Sequence, residues 1–366
     1  MKFFTDVKDI DFSTDLWETL GKSGKKLVMY GTGNGADKII KVLESKNLTV
    51  DDFVVSDEFY RGQSFHNKQV LSFTQAFTHP VEKYEDSNIV VAFGTRDKEL
   101  ISRIGSLSNL YIPDVPVVAD DLLSEIFTLG YFEKHRERLQ GVCDKLSDSE
   151  SKELLCDLIC YRLTGDFHYL FHKTVEKSEY YSLLGAENFR TALDLGAYNG
   201  DTIRELSEYA GRLESVTAFE PDERNFRKLR DYQWNGSFTV KAINAAAWDE
   251  EATIEFTSGG NRNSSASSKV GVTTGAKVRE VKALRPDSAV EKCDFIKYDV
   301  EGAEEKVLKG SEKLIEASRP VLSVAVYHRT ADLFRIPELV SDLGYKELYL
   351  RRFACVPGWE VNLIAK

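Results

Sequence analysis

Leu193-Asp194-Leu195-Gly196-Ala197-Tyr198-Asn199-Gly200-Asp201-Thr202 begins as a buried strand and opens a helix. Gly196 and Gly200 let the backbone turn sharply and approach a ligand with no Cβ in the way. A turn of this kind closes the first strand of an open α/β sheet, where such sheets bind ligands. The next strand, SVTAFEP, ends in Glu220, 20 residues after Gly200. An acid at that tip can accept hydrogen bonds from both hydroxyls of a ribose. Asp194 lies inside the strand end, where a carboxylate can hold a cationic group.

Two features favour S-adenosylmethionine (SAM) over a nicotinamide dinucleotide at this turn. GAYNG is not GxGxxG, so the tight pyrophosphate cradle is lacking, and Asp194 suits the ammonium of SAM's amino acid part. The third strand runs into Ile243-Asn244-Ala245-Ala246-Ala247-Trp248-Asp249. Small residues such as Ala246 leave room for an adenine, with Asp249 accepting from its amine; equally, Ala245 to Ala247 can simply pack under a helix. The fourth strand reads Asp294-Phe295-Ile296-Lys297-Tyr298-Asp299-Val300-Glu301-Gly302-Ala303-Glu304. Alternation puts Lys297, Asp299 and Glu301 on one face at the sheet's C-terminal edge. Asp299 is read as facing the position of the transferred methyl group, and Glu304 as an acid in the next helix's first turn. His328, after the fifth strand PVLSVAVYH, reaches the same edge and is, with Asp299, the expected general base. Lys297 is expected either to hold an anionic group of the acceptor or to pair with Asp299. His66, His79, His135, His168 and His172 are expected to be structural or exposed. No cluster demands a metal, although Asp299 and Glu301 could bind one.

These residues need elements to position them. Residues 25–118 alternate strands (25–31, 52–56, 88–93, 109–118) with helical spacing such as 36–46, as a parallel sheet with right-handed crossovers requires. Residues 119–190 are rich in Leu, Glu, Lys and aromatics with apolar positions at threes and fours, and read as two or three helices. From 191 the alternation resumes, with helical stretches TIRELSEYAGRL, ERNFRKLRDY and AEEKVLKGSEKLIEA between the strands. The Gly/Ser/Thr-rich segment 259–277 reads as a mobile loop or hairpin near the site. The expected architecture is α/β: two doubly wound Rossmann-like domains, residues 1–120 and 186–366, joined by a helical linker over 121–185.

The bulk properties limit the function classes. The chain has 366 residues, 42% hydrophobic and 29% charged, enough for two ordinary cores. No apolar run reaches the eighteen or so residues of a membrane helix. Acids interrupt the apolar stretch of MKFFTDVKDIDF, unlike a signal peptide. The five cysteines form no CxxC pair or zinc spacing, which fits free thiols in a reducing cytoplasm. A net charge of −11 opposes a broad nucleic-acid footprint. Arg351-Arg352 is a candidate local basic patch, though two arginines are more often just solvated.

The chain resembles the FkbM family of SAM-dependent methyltransferases, through LDLGAYNGDT (193–202), AFEPDERNFRKL (218–229), INAAAWDEEATIEF (243–256) and, most specifically, DFIKYDVEGAEEKVLKG (294–310). The resemblance covers roughly residues 155–366. CYRLTGDFHYLF and VYHRTADLFRIPELV look like the branch found with bacterial polysaccharide and glycan genes. It implies a class I SAM methyltransferase fold, O-methyl transfer to a sugar or glycan precursor, and cofactor contacts at Asp194, Gly196, Ala197, Gly200, Asp201, Thr202, Glu220 and Asp249, with Asn199 inside the same turn. Lys297, Asp299 and Glu301 match the motif nearest the acceptor. Members of the branch often have LRHY near the C-terminus where this chain has Leu350-Arg351-Arg352-Phe353, so a histidine is missing.

The first domain has its own turn, Gly31-Thr32-Gly33-Asn34-Gly35-Ala36, with Asp57 lying 21 residues beyond Ala36. This GxGxxA layout has two readings: a nucleotide or nucleotide-sugar site, or a structural or oligomerising role, since any doubly wound domain needs glycines there. An NAD-dependent oxidoreductase centred on this turn lacks a Tyr-x-x-x-Lys proton relay. The other alternative is a non-catalytic SAM- or nucleotide-sugar-binding protein, which the complete second turn and Glu220 argue against.

Overall fold

The computed structural model describes residues 12–77, 84, 86–258, 265–266 and 277–366. His79 and most of the Gly/Ser/Thr-rich segment lie outside the described residues. The chain forms two compact units. The first comprises residues 1–143, 152–174 and 352–360; the second comprises 144–151, 175–351 and 361–366. The helical stretch expected over 121–185 is therefore divided between them, with 121–143 and 152–174 in the first and 144–151 and 175–185 in the second.

In the first unit, strands β1 (Leu27–Tyr30), β2 (Asp52–Val55), β3 (Ser64–Phe65), β4 (Lys68–Ser72), β5 (Asn88–Val91) and β6 (Leu110–Tyr111) form one sheet in the order β3-β4-β2-β1-β5-β6. All neighbours are parallel except β3 with β4. β1 and β5 are buried throughout and apolar but for Asn88, as central strands covered on both faces must be. Helices α1 (Leu16–Ser23), α2 (Asn34–Ser45), α3 (Phe73–Phe77), α4 (Lys98–Gly105) and α5 (Leu122–Glu125) accompany the sheet. α6 (Leu129–Lys145) and α7 (Ser149–Thr164) follow.

The second unit opens with α8 (Lys177–Leu184). Its strands are β7 (Thr191–Leu195), β8 (Ser215–Phe219), β9 (Thr239–Ile243), β10 (Ala246–Ala247), β11 (Ala252–Ser258), β12 (Ser265–Ala266), β13 (Lys277–Leu284), β14 (Phe295–Tyr298), β15 (Val321–Ala325), β16 (Leu348–Arg352) and β17 (Val361–Ala365). Its later helices are α9 (Asp201–Tyr209), α10 (Glu223–Asp231), α11 (Pro286–Ala289), α12 (Glu304–Gly310), α13 (Glu312–Ser318) and α14 (Asp332–Asp342). The main sheet has the order β16-β17-β15-β14-β7-β8-β9. β15-β14-β7-β8-β9 are parallel and β17 is antiparallel to β15. The chain leaves β7 toward β8 and β9 and later returns to the other side of β7 as β14. The gap beyond the C-terminal ends of β7 and β14 is thus a topological switch point, where open α/β sheets place ligands.

Two features depart from the sequence expectation. β10 pairs with β13 in a separate sheet, order β10-β13-β11-β12, so Ala246 and Ala247 extend no strand of the main sheet. The single helix expected over 303–317 breaks into α12 and α13 at Gly310-Ser311. The reason is a backbone approach: a Cβ on Gly310 would stand 2.0 Å from the Trp248 carbonyl oxygen. Gly310→Ala should therefore destabilise the protein by at least about 2 kcal/mol, the range of a forced backbone clash. Gly211→Ala, whose Cβ meets nothing within 4 Å, should stay within about 0.5 kcal/mol. Chemical denaturation of both variants checks this, and equal midpoints would refute it.

Candidate active site at the switch point

The turn after β7 is shaped by backbone contacts before any ligand enters. Gly196 (φ 84°) and Gly200 (φ 81°) both occupy the left-handed region. A Cβ on Gly196 would lie 1.9 Å from the Asp299 carbonyl oxygen, so only glycine lets this turn meet the end of β14. The amides of Gly196 and Ala197 both donate to the Phe219 carbonyl at the end of β8. Glu220, the next residue, is buried and accepts from the Tyr198 amide through Oε2 and from the Asp222 amide through Oε1, each at 2.8 Å. Burial pushes its carboxyl up to about 8, against the pull of those two amides. A carboxylate has about four lone-pair positions, so two remain for further donors.

Asp194 is 3% exposed, and neither carboxylate oxygen has a hydrogen-bond partner. Lys297 Nζ stands 3.7 Å from Oδ1, too long for a hydrogen bond. Burial raises this carboxyl to about 6, with Lys297 opposing. The chain here keeps a carboxylate turned inward without the donors that normally satisfy one. Asp201 and Thr202 open α9, with the Thr202 amide donating to Asp201 Oδ1. Asn199 is gripped by Arg204, which donates to its carbonyl and its Oδ1. Asp249 follows the buried Trp248, and its carbonyl accepts from Arg285.

Lys297, Asp299, Glu301 and His328 meet at the end of β14, and the structure adds Glu304 to them. Lys297 Nζ lies 3.2 Å from Asp299 Oδ2. Burial alone would depress its pKa, but Asp299, Asp194 and Asp201 outweigh that and hold it protonated. Alternation ends at Asp299, because Glu301 and Gly302 both take positive φ. Glu301 still comes to 3.6 Å of His328 Nε2 through Oε2, and Asp299 to 3.5 Å through Oδ1. On the other ring nitrogen, His328 Nδ1 donates to Glu304 Oε1 at 2.8 Å. That same oxygen accepts from the Val300 amide. Glu304, read from sequence as a helix-turn acid, is buried at the foot of α12 and orients the imidazole. Its spacing from Asp299 carries no signal for this. Asp332, a further acid that the sequence reading passed over, is buried behind it and raised to about 7, first by burial and then by Glu304.

His328 differs from the base expected of it. Burial would lower its pKa, but Glu304, Glu301 and Asp299 raise it to about 10. At neutral pH it is an imidazolium, which donates a proton rather than accepting one. Of the remaining histidines, His66, His168 and His172 are exposed and His135 is half-buried. Arg351 and Arg352 are neither a basic patch nor solvated. Arg351 is buried against Asp148 at 2.7 Å and Glu150 at 3.0 Å; Arg352 is buried and donates to the carbonyls of Leu170 and Cys355. Arg352, at the position where the family resemblance implies a histidine, is thus a structural arginine. All five cysteines are buried and none forms a disulfide among the described residues.

In the first unit, a Cβ on Gly31 would meet Phe93 and the Ala92 backbone, and one on Gly35 would stand 2.6 Å from the Ala92 carbonyl oxygen. Gly33 meets nothing. The carboxylate of Asp57 accepts from the Thr74 amide and hydroxyl. Close approach to the end of β5 thus accounts for two of the three glycines.

Residues 194–347 match the model of the methyltransferase FkbM domain, a span that contains the whole switch-point cluster. The site therefore lies in a stretch similar to that methyltransferase domain. The chain shares its fold with an FkbM methyltransferase from Methylobacillus flagellatus KT, with 19% identity and a TM-score of 0.66, over 96% of this chain and 92% of that one. Fibrillarin from Aeropyrum pernix, solved with natively bound S-adenosyl-L-methionine, overlaps 52% of this chain and 74% of its own at 15% identity, with a TM-score of only 0.32. No curated protein matches the chain. Among the described residues no helix is long and apolar enough to cross a membrane.

The position of Asp194 sets a pH dependence. A carboxyl raised in the folded state is destabilising when ionised, so its contribution is most favourable below the ordinary 3.8 and is lost as pH rises through about 6. The gap corresponds to on the order of 3 kcal/mol at most. Asp194→Asn should therefore be more stable than the parent at pH 7.5 without ligand, by about 1–3 kcal/mol. The difference should shrink as pH falls from 6 to 4. Urea titrations at several pH values measure it; a difference that grows on acidification would refute the account.

Proposed function

We propose that the chain is a SAM-dependent O-methyltransferase whose acceptor is a hydroxyl of a sugar or glycan precursor. The observation that carries this reading is the buried Asp194 carboxylate with no hydrogen-bond donor, beside a glycine turn and one strand from Glu220. An inward carboxylate without donors costs stability unless a ligand supplies them, and the ammonium of SAM's amino acid part does so. Glu220 has lone pairs left for ribose hydroxyls. Gly196, Ala197, Asn199, Gly200, Asp201 and Thr202 form the turn that would line the cofactor, with Ala246 and Asp249 toward the adenine. Bound there, SAM would supply a methyl group on a sulfonium that is already a good leaving group.

The protein then mainly supplies proximity and alignment. Asp299 and Glu301 are the partly exposed acids of the cluster and would face the acceptor hydroxyl. Lys297 pairs with Asp299, and His328 is pinned by Glu304 behind them. The match to the FkbM domain supports methyl transfer. The acceptor class rests on the likeness of residues 155–366 to glycan-associated members of that family. A nucleotide-linked sugar at the Gly31–Gly35 turn belongs to the same reading, and so do homo-oligomerisation and a cytoplasmic setting.

Calorimetry with S-adenosylhomocysteine tests the cofactor site. The parent should bind one equivalent per chain, and Asp194→Asn with Glu220→Gln should weaken binding at least about 100-fold, as for two buried charge-assisted contacts. Ligand ammonium favours ionised Asp194, so affinity should fall as pH drops through about 6. This is measured between pH 5 and 7, where an α-amino group stays protonated. Unchanged affinity in the double variant would remove the assignment.

A further inference from the structure

We propose that His328 Nε2, Asp299 and Glu301 form a binding site for a divalent first-row transition ion. The ion would hold the acceptor through two neighbouring oxygens. The second clause rests on the methyltransferase reading above; the metal site itself does not.

His328 is 1% exposed, yet Nε2 has no hydrogen-bond partner. That nitrogen lies near two carboxylates only two residues apart, Asp299 Oδ1 at 3.5 Å and Glu301 Oε2 at 3.6 Å, and an ion bound among the three would displace the proton that the imidazolium otherwise carries on Nε2. Lys297 lies against the other oxygen of Asp299, leaving Oδ1 toward the ring. Atoms so separated from Nε2 subtend about 110° at an ion bonded at about 2.1 Å, an ordinary coordination angle. One ligand atom each from Asp299, Glu304 and His328 also falls within a 4.8 Å cluster. Glu304 spends Oε1 on Nδ1 and on the Val300 amide, and its Oε2 is buried without a hydrogen-bond partner. It therefore acts as the carboxylate that fixes the imidazole from behind, the arrangement that most metal-binding histidines have.

The donor set selects the ion. Two carboxylates suit Mn²⁺ or Mg²⁺, and an imidazole suits Zn²⁺ or Fe²⁺, so the mixed set favours a transition ion over Ca²⁺ or Mg²⁺. Asp299 and Glu301 are 31% and 26% exposed, so the far side of the ion would face the acceptor space. Three protein ligands leave positions open there, and a hydroxyl bound to such an ion loses its proton more readily. The acceptor this fits has adjacent oxygens, as in a vicinal diol or a hydroxy acid.

Mn²⁺ titrated into chelator-treated protein, followed by electron paramagnetic resonance without SAM or its product, tests the site. The parent should bind one Mn²⁺ per chain. Glu301→Gln, at a partly exposed position, should weaken binding at least tenfold, and Glu304→Gln by about 10- to 100-fold through loss of the oriented imidazole. S-adenosylhomocysteine affinity of Glu301→Gln should stay within about twofold of the parent in calorimetry. No Mn²⁺ binding at millimolar concentration, or equal binding by the parent and Glu301→Gln, would overturn the site. Mn²⁺ binding without S-adenosylhomocysteine binding would instead sink the cofactor assignment and leave this one standing.

Discussion

The second unit gathers more negative charge at one sheet edge than its own cations can satisfy. Asp194, Glu220, Asp299, Glu301 and Glu304 come together there, with Lys297 and His328 as the positive groups placed among them. Burial in low dielectric penalises each ionised acid unless it is paired or hydrogen-bonded. Glu220 is held by two amides, while Glu304 gives Oε1 to an amide and an imidazole and keeps a buried Oε2 without a hydrogen-bond partner. Asp194 has no hydrogen-bond donor; burial raises it and Glu220, while Glu304, Glu301 and Asp299 keep His328 protonated against the effect of burial.

The backbone explains why these groups cannot move apart. Gly196 lets the turn after β7 sit directly on the Asp299 carbonyl, so Asp194, two residues before Gly196, is held beside Asp299 at the contact itself. Gly310 similarly lets α12 close on Trp248. That helix carries Glu304, and Glu304 fixes His328. A site built on strand ends and helix starts in this way keeps its charges in place without a ligand, which is what preorganisation requires. It also costs stability, the common trade at functional sites.

Much of this was legible in sequence because the signals were local. The turn at 196–200, the acid ending the second strand and the charged run from Lys297 to Glu301 lie within single elements, and β7, β8, β14 and β15 appear where apolar alternation placed them. What escaped depends on long-range contact. Glu304 reads as an ordinary helix-turn acid until His328, 24 residues away, is brought against it. Arg351 and Arg352 read as solvated because Asp148 and the Leu170 carbonyl, which bury them, lie far back in the chain. β10 looked like the tail of β9 because only Asn244 and Ala245 separate the two in sequence, and only pairing with β13 sets them apart. His328 was assigned a base's pKa from its type, whereas its surroundings decide its charge.

Lys297 ties the two halves of the site together. Its Nζ stands 3.7 Å from Asp194 and 3.2 Å from Asp299, so one ammonium serves the carboxylate assigned to the cofactor and the one assigned to the acceptor. A charge shared in this way couples the two. If a ligand ammonium neutralises Asp194, Lys297 loses part of its reason to lean that way and interacts more fully with Asp299. The coupling is electrostatic and reciprocal, and it needs no movement of the backbone. It also favours lysine over arginine at this position: a compact ammonium can sit between two carboxylates on adjacent strands, while a planar guanidinium would commit its fork to one of them.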